Sequence, residues 1–475
     1  MERGMAQAPV PLFQVQPWVT ALFYAVVGLL FGVLAERTTY CIVVATHQVI
    51  GVKYSRVYEM ILAGLAVSAL LDGLLVASGA VPAVDAYKFF FGVGWWALVG
   101  SFIFGFGMML GQGCMVGMLW KSGQGYIVNW FEILGMMVGT VIFAFSIFNG
   151  LNLGWWWSHY ATLNVPNRSP LDYIPYLLSR FMSIRVAAAL VGVLFFAGIM
   201  AAALYFRRER LKWETGKGSP WTSPYFYGTL FGLFMVASFV FMAGRGFNYL
   251  GVTTPVGLLT EYLTAPFMGF IGSANAAVNW YQTVPIANAF TFFVLMVMAG
   301  ALVSAQARGT FAIRLPAPGT NRVAEILIAF LGGIILAIGA RIAQGCSVGG
   351  FWSGLAALSL YGLVYAVGIV TGSIAGYYAY VALSSWAASR GASTGSPVIR
   401  LMVGNFDAGG LITSVVIGLA IASIGVEVMA YNNYLKAKLA PAVAWQWSLV
   451  LVALGLFIIA ASLVINLVRA RGRGA

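Results

Sequence analysis

The stretch Gly111-Gln112-Gly113-Cys114-Met115-Val116-Gly117 recurs, 232 residues later, as Ala343-Gln344-Gly345-Cys346-Ser347-Val348-Gly349. At the same offset Gly100 meets Gly332, Gly107 meets Gly339 and Trp120 meets Trp352. Each copy closes an apolar run, and a glycine cluster there lets the backbone leave helical geometry. An apolar helix that breaks at the same place twice restricts the chain to two related halves. Of the three cysteines, Cys114 and Cys346 hold equivalent positions, and Cys41 follows Glu36-Arg37-Thr38-Thr39-Tyr40.

The surroundings of these motifs belong to a bilayer. Hydrophobic residues make up 61% and charged residues 8% of the 475 positions, whereas a soluble chain carries roughly 25% charged residues. Runs such as 183–206 and 444–469 are long enough to cross a membrane as helices, and the 57 glycines suit close helix packing in lipid. The net charge of +13 therefore points to cytoplasmic loops, not to nucleic acid. The first apolar run lacks a charged region followed by a small-residue cleavage site, so no cleavable signal peptide is expected. Three cysteines without near neighbours make neither a disulfide framework nor a local zinc site. No catalytic residue, metal or cofactor is expected.

Periodicity and length predict about eleven spanning segments. They are roughly 18–35, 55–79, 95–111, 126–148, 183–206, 225–243, 285–307, 322–343, 360–386, 409–430 and 444–469, with a short helical piece after each cysteine break. The basic run Arg207-Arg208-Glu209-Arg210-Leu211-Lys212 is the strongest linker signal. It divides a first half (1–206) from a second (225–475) across a linker at 207–224. With that linker cytoplasmic, seventeen of the 26 Lys and Arg fall on the cytoplasmic side, as the positive-inside rule asks. The N-terminus is then expected outside and the C-terminus inside. An odd number of spans per half makes the halves antiparallel. The expected fold is an all-α polytopic membrane protein, an inverted repeat with broken or re-entrant helices at its centre, the arrangement of many transporters.

A short helix starting after each break offers amides and a dipole that favour an anion. Irregular backbone at that depth is tolerated where it lines a cavity. An isolated buried cysteine is ordinarily a small hydrophobe, but two in equivalent breaks are candidates for a path. Neutral thiols suit a soft sulfur atom and the amides suit oxygens, a combination matching thiosulfate. Candidate path residues are Cys41, Cys114, Cys346, Gln112, Gln344, Gly113, Gly345 and Arg341.

The paired Gln-Gly-Cys motifs, the early Tyr40-Cys41 and the all-helical layout resemble the YeeE/YedE sulfur-transport family. The resemblance covers most of the chain. It implies an inner-membrane permease built from inverted repeats, importing thiosulfate past three thiols, here Cys41, Cys114 and Cys346, and handing sulfur to a small cytosolic sulfur-carrier protein. Relatives are also linked to selenium and other sulfur compounds. The chain is longer than compact members around 149–182 and 387–443, and Ala343 stands where the first copy has Gly111.

Other polar residues in apolar surroundings have two readings each. Arg341 either attracts an anion at the outer mouth or snorkels, as an intramembrane arginine can. Arg245, in Gly244-Arg245-Gly246, is a similar candidate. Glu132, beside Asn129, either carries a proton or hydrogen-bonds a neighbouring helix. Gln112 and Gln344 either donate to a substrate or brace the breaks. Asp72 and Glu59 are expected to be structural, and the 18 methionines to be packing. Two other functions fit less well. A membrane sulfurtransferase carrying persulfides needs a base, and the only histidines are His47 and His159. A soft-metal permease would use thiolates, but carboxylates are few and the bias is positive. Moving one negative charge inward against 100 mV costs about 2.3 kcal/mol, and a dianion about twice that. Import therefore needs a proton partner, an outside excess or rapid consumption inside.

Overall fold

Our computed structural model describes residues 17–87, 93–145, 173–212, 214, 220–242, 250–253, 255–257, 259–260, 290–403, 406–431 and 441–472. Ten of its helices are long and apolar enough to cross a membrane, and a shorter apolar helix covers Ile127–Phe143. The chain is a multi-pass, all-α membrane protein. In chain order the helices that matter here are α1 (Pro17–Thr38), α2 (Ile42–Gly51), α3 (Arg56–Ser78), α4 (Trp95–Gly111), α5 (Met115–Gln124) and α6 (Ile127–Phe145). They continue with α7 (Ile184–Leu211), α8 (Pro224–Met242), α9 (Phe290–Arg308), α10 (Arg322–Ala343), α11 (Leu360–Ser389), α12 (Ala408–Tyr431) and α13 (Pro441–Gly472). Two short antiparallel strand pairs complete the order, one joining Ile313–Arg314 to Val398–Ile399.

The centre is a cross of glycine-bearing helices. A Cβ built on Gly100 would lie 2.8 Å from Cα of Ala343, and one on Gly332 would lie 2.8 Å from Cα of Gly111. Likewise Gly107 faces the carbonyl oxygen of Gly332 at 2.9 Å, and Gly339 that of Gly100 at 2.8 Å. Thus α4 and α10 cross antiparallel, each glycine making the contact its counterpart makes in reverse. Glycine is required because the backbones touch. The same reciprocity extends outward. Gly139 of α6 lies against Ile334 of α10, as Gly372 of α11 lies against Phe102 of α4. Gly32 of α1 lies against Val297 of α9, as Gly232 of α8 lies against Gly64 of α3.

Several helix ends are tied by ion pairs and hydrogen bonds to buried carboxylates. Arg210 pairs with the fully buried carboxylate of Glu59 at 2.9 Å and also with Glu214. Tyr54 Oη donates to Glu214 at 2.5 Å. Glu36 accepts from Gln124 at 3.0 Å and from Ser304 at 2.9 Å, with Arg308 at 3.7 Å. Glu59 is thus held in an ion pair in the first turn of α3. Arg245 and His159 lie outside the described residues.

Candidate functional site

Both breaks share one local design. Gln112 ends α4 and Gln344 ends α10 in the left-handed region, with φ of 65° and 60°. Each turn is followed by a glycine and then by a cysteine in extended backbone at the start of the next helical piece. Cys114 Sγ accepts from the Gly117 amide at 3.3 Å, and Cys346 Sγ accepts from the Gly349 amide at 3.3 Å. The thiols thus stand where Ser or Asp would cap an ordinary helix. The copies then diverge. After Cys114 the chain winds as the α-helix α5, with Met118 donating to the Cys114 carbonyl at 2.8 Å. After Cys346 it takes a π-helical turn, Ser347–Trp352, in which Phe351 donates to the Cys346 carbonyl at 3.0 Å, and then a single α-turn, Ser353–Ala356. Gly350 admits the Tyr365 ring there, where the first copy has Met118.

All three thiols are free and buried. Cys41, in the turn between α1 and α2, meets Cys114. Both sulfurs converge on Gly117, Cys114 Sγ 3.3 Å from where its Cβ would stand and Cys41 Sγ closer still. Cys346 faces a different wall: a Cβ on Gly349 would have Cα of Gly251 at 3.6 Å and Cys346 Sγ at 3.8 Å as its nearest neighbours. One site therefore holds a thiol pair, and the other a single thiol opposite glycine. Tyr40, next to Cys41, has a carbonyl that accepts from Trp120 Nε1 at 2.8 Å and a ring 5.8 Å from that of Trp352, which closes the π-helical turn after Cys346.

The first break is pinned from several directions. Gln112 Nε2 donates to Glu325 at 2.7 Å, and the Gln112 carbonyl accepts from Lys121 Nζ at 2.5 Å. Glu325 also accepts from Tyr380 at 3.0 Å and from Ser384. The Gln112 amide is thus tied to α10. Beside it opens a cavity of about 510 Å³ lined by Val44, His47, Gln112, Lys121, Tyr377 and Tyr380. His47 stands edge-on to Tyr377 and Tyr380, with ring centroids at 5.1 and 5.6 Å. The second break is braced by phenols: Tyr361 Oη donates to the Ala343 carbonyl at 2.5 Å, beside Gly345. Arg341 is buried, its guanidinium carbon 2.8 Å from where a Gly257 Cβ would stand. Glu132 and Asn129 lie against the first break, and Asp72 is buried in α3.

Sequence reasoning did not single out Glu325, Tyr361 or Tyr365. Glu325 carried a faint signal, an acid in the first turn of an apolar helix behind the N-cap Asn321. The tyrosines carried none. Among the described residues no three His, Cys, Asp or Glu cluster as metal ligands.

Paired helix breaks inside a multi-pass helical bundle, closed around buried thiols, define a membrane transport protein. The chain belongs to the sulphur-transport family, whose model matches residues 37–375. It is similar to the thiosulfate transporter TsuA of Escherichia coli, 23% identical over 330 residues, covering 68% of this chain and 84% of that protein. The thiosulfate transporter TsuA of Spirochaeta thermophila is 24% identical over 358 residues, 73% of this chain and 95% of that one. A probable transporter, YedE of Escherichia coli, is 30% identical over 118 residues, 25% of this chain and 28% of its own.

Proposed function

We propose that the protein imports thiosulfate, or a closely related inorganic sulfur anion, across the inner membrane past Cys41, Cys114 and Cys346. The observation that carries this reading is the doubled break, each with a cysteine sulfur capping the next helical piece. A neutral thiol is a weak donor matched to a soft terminal sulfur. The helix starts behind Cys114 and Cys346 supply amides and positive dipole ends to sulfonate oxygens. The relatives named as thiosulfate transporters agree in substrate class.

In this account 1–206 and 225–475 are inverted halves joined by the linker at 207–224. The reciprocal glycine contacts of α4 and α10 supply the local two-fold logic. Gly113 and Gly345 let the backbone approach the anion, and Gln112 and Gln344 hold the turns. Arg341 adds positive charge on the second half's side. The thiol pair and the lone Cys346 are successive stations. The basic linker lies on the cytoplasmic face, with the C-terminus on the same face and the N-terminus outside. A small sulfur-carrier protein on that face would consume what arrives.

A strain lacking other sulfur import tests this. Growth on thiosulfate should depend on the gene, and Cys114→Ala or Cys346→Ala should abolish it. Undiminished growth of both variants, at equal membrane expression, would refute the thiol path.

A further inference from the structure

The two breaks differ in what braces them: phenols stand at the second, and a buried carboxyl outside any ion pair stands at the first. Glu132 of α6 is fully buried. Its carboxyl fills the space left by two missing side chains. A Cβ on Gly113 would lie 2.5 Å from Oε2, and one on Gly111 would lie 2.7 Å from the carboxyl carbon. Oε2 accepts from Asn129 Nδ2 at 2.7 Å. Oε1 is buried with no hydrogen-bond partner among the described residues. At the second break the neighbouring groups are the phenols of Tyr361 and Tyr365.

A carboxylate in that position would be a buried charge outside any ion pair, which is costly to hold in a closed core. The elements packed on α6 offer no compensating ion pair. α4 has no ionisable side chain. From α5, Lys121 donates to the Gln112 carbonyl. From α10, Glu325 is held by Gln112, Tyr380 and Ser384, while Arg341 lies against Gly257. The remaining titratable neighbours are the thiols Cys41 and Cys114. A dianion reaching that thiol pair would also repel an ionised Glu132.

We propose that Glu132 is the proton-binding site that couples sulfur-anion uptake to proton entry. The first break accepts the anion only while the carboxyl is protonated. One proton, taken up on the side from which the anion comes, is released from Oε1 with the anion on the other side. The net charge moved per dianion falls from two to one. This rests on the transport reading above.

The test is uptake of sulfur-35 thiosulfate into proteoliposomes with the membrane potential clamped at zero. A gradient of one pH unit, alkaline inside, should raise steady-state accumulation by the wild type about tenfold for one proton per anion. Glu132→Gln keeps the shape and the bond to Asn129. It should still take up thiosulfate but lose the response to the gradient, which a merely structural role would leave intact. In a wild type minus E132Q infrared difference spectrum at neutral pH, the carbonyl stretch of a protonated carboxyl should appear. The proposal is overturned if wild-type uptake ignores the gradient, if E132Q keeps the response, or if the band is missing. A wild type that takes up no thiosulfate under any gradient defeats the transport reading, and this proposal with it. Uptake that ignores the gradient defeats the coupling alone.

Discussion

Gly117 and Gly349 occupy equivalent places in the two breaks, yet alanine should act on them in opposite ways. In α5 a methyl on Gly117 would run into Cys41 Sγ and stand 3.2 Å from Cys41 Cβ and 3.3 Å from Cys114 Sγ. At Gly349 the nearest atoms are 3.6 to 3.8 Å away, ordinary van der Waals contact. Replacing helical Gly by Ala contributes up to about 1 kcal/mol to stability in either position. Overpacking at Gly117 costs about 1–3 kcal/mol, because displaced thiols have little room in a closed core. Gly349→Ala should therefore be more stable than Gly117→Ala by about 1–3 kcal/mol. Melting of the detergent-solubilised proteins, followed side by side through tryptophan emission, gives the order G349A, wild type, G117A. Thiosulfate uptake by G117A should fall about tenfold or more as the thiol pair is pushed apart. Equal melting of the two variants, or full uptake by G117A, would show that the thiols do not converge on Gly117.

Further predictions follow from the same geometry. Mild oxidation should join Cys41 to Cys114, reversibly, and leave Cys346 free; peptide mapping that found Cys346 in the bridge would contradict the pairing. Arg210→Met should cost about 3–5 kcal/mol, since it strands a buried Glu59 carboxylate, and Glu59→Gln on top should recover much of the loss in melting temperature. Burial opposes ionisation of Glu214, but the bond from Tyr54 and the charges of Arg210 and Arg56 outweigh it and hold its pKa below the ordinary 4.5. Its contribution to stability is present above the ordinary carboxylate range and lost as pH falls below it. An acid titration of thermal stability should therefore lose part of that limb in Glu214→Gln.

Much of the bundle was legible because membrane helices are written in long apolar runs. The span expected at 322–343 is Arg322–Ala343 in the structure, and that at 360–386 is Leu360–Ser389. The helix breaks were legible too, since Gln-Gly before a cysteine, with more glycines close by, cannot continue a helix without loss. Contacts set by packing were not. Nothing local tells that Cys41 meets Cys114 and that Gly251 faces Gly349 in the other half. The π-helical turn after Cys346 packs at Gly350 against a ring, Tyr365, that arrives from fifteen residues beyond that glycine. Arg341 had two readings from its place in the helix, and nothing local tells that its guanidinium is buried against Gly257. Glu325 was overlooked because its partners, Gln112, Tyr380 and Ser384, come from two other helices.

The central claim is that Cys114 and Cys346 handle the substrate's terminal sulfur. The most direct measurement compares initial uptake of sulfur-35 thiosulfate and of sulfate into proteoliposomes holding the wild type, Cys114→Ser or Cys346→Ser. The account predicts that the wild type takes up thiosulfate and discriminates against sulfate, and that each serine variant loses thiosulfate uptake while remaining folded. Thiosulfate uptake at the wild-type rate by both serine variants would contradict it.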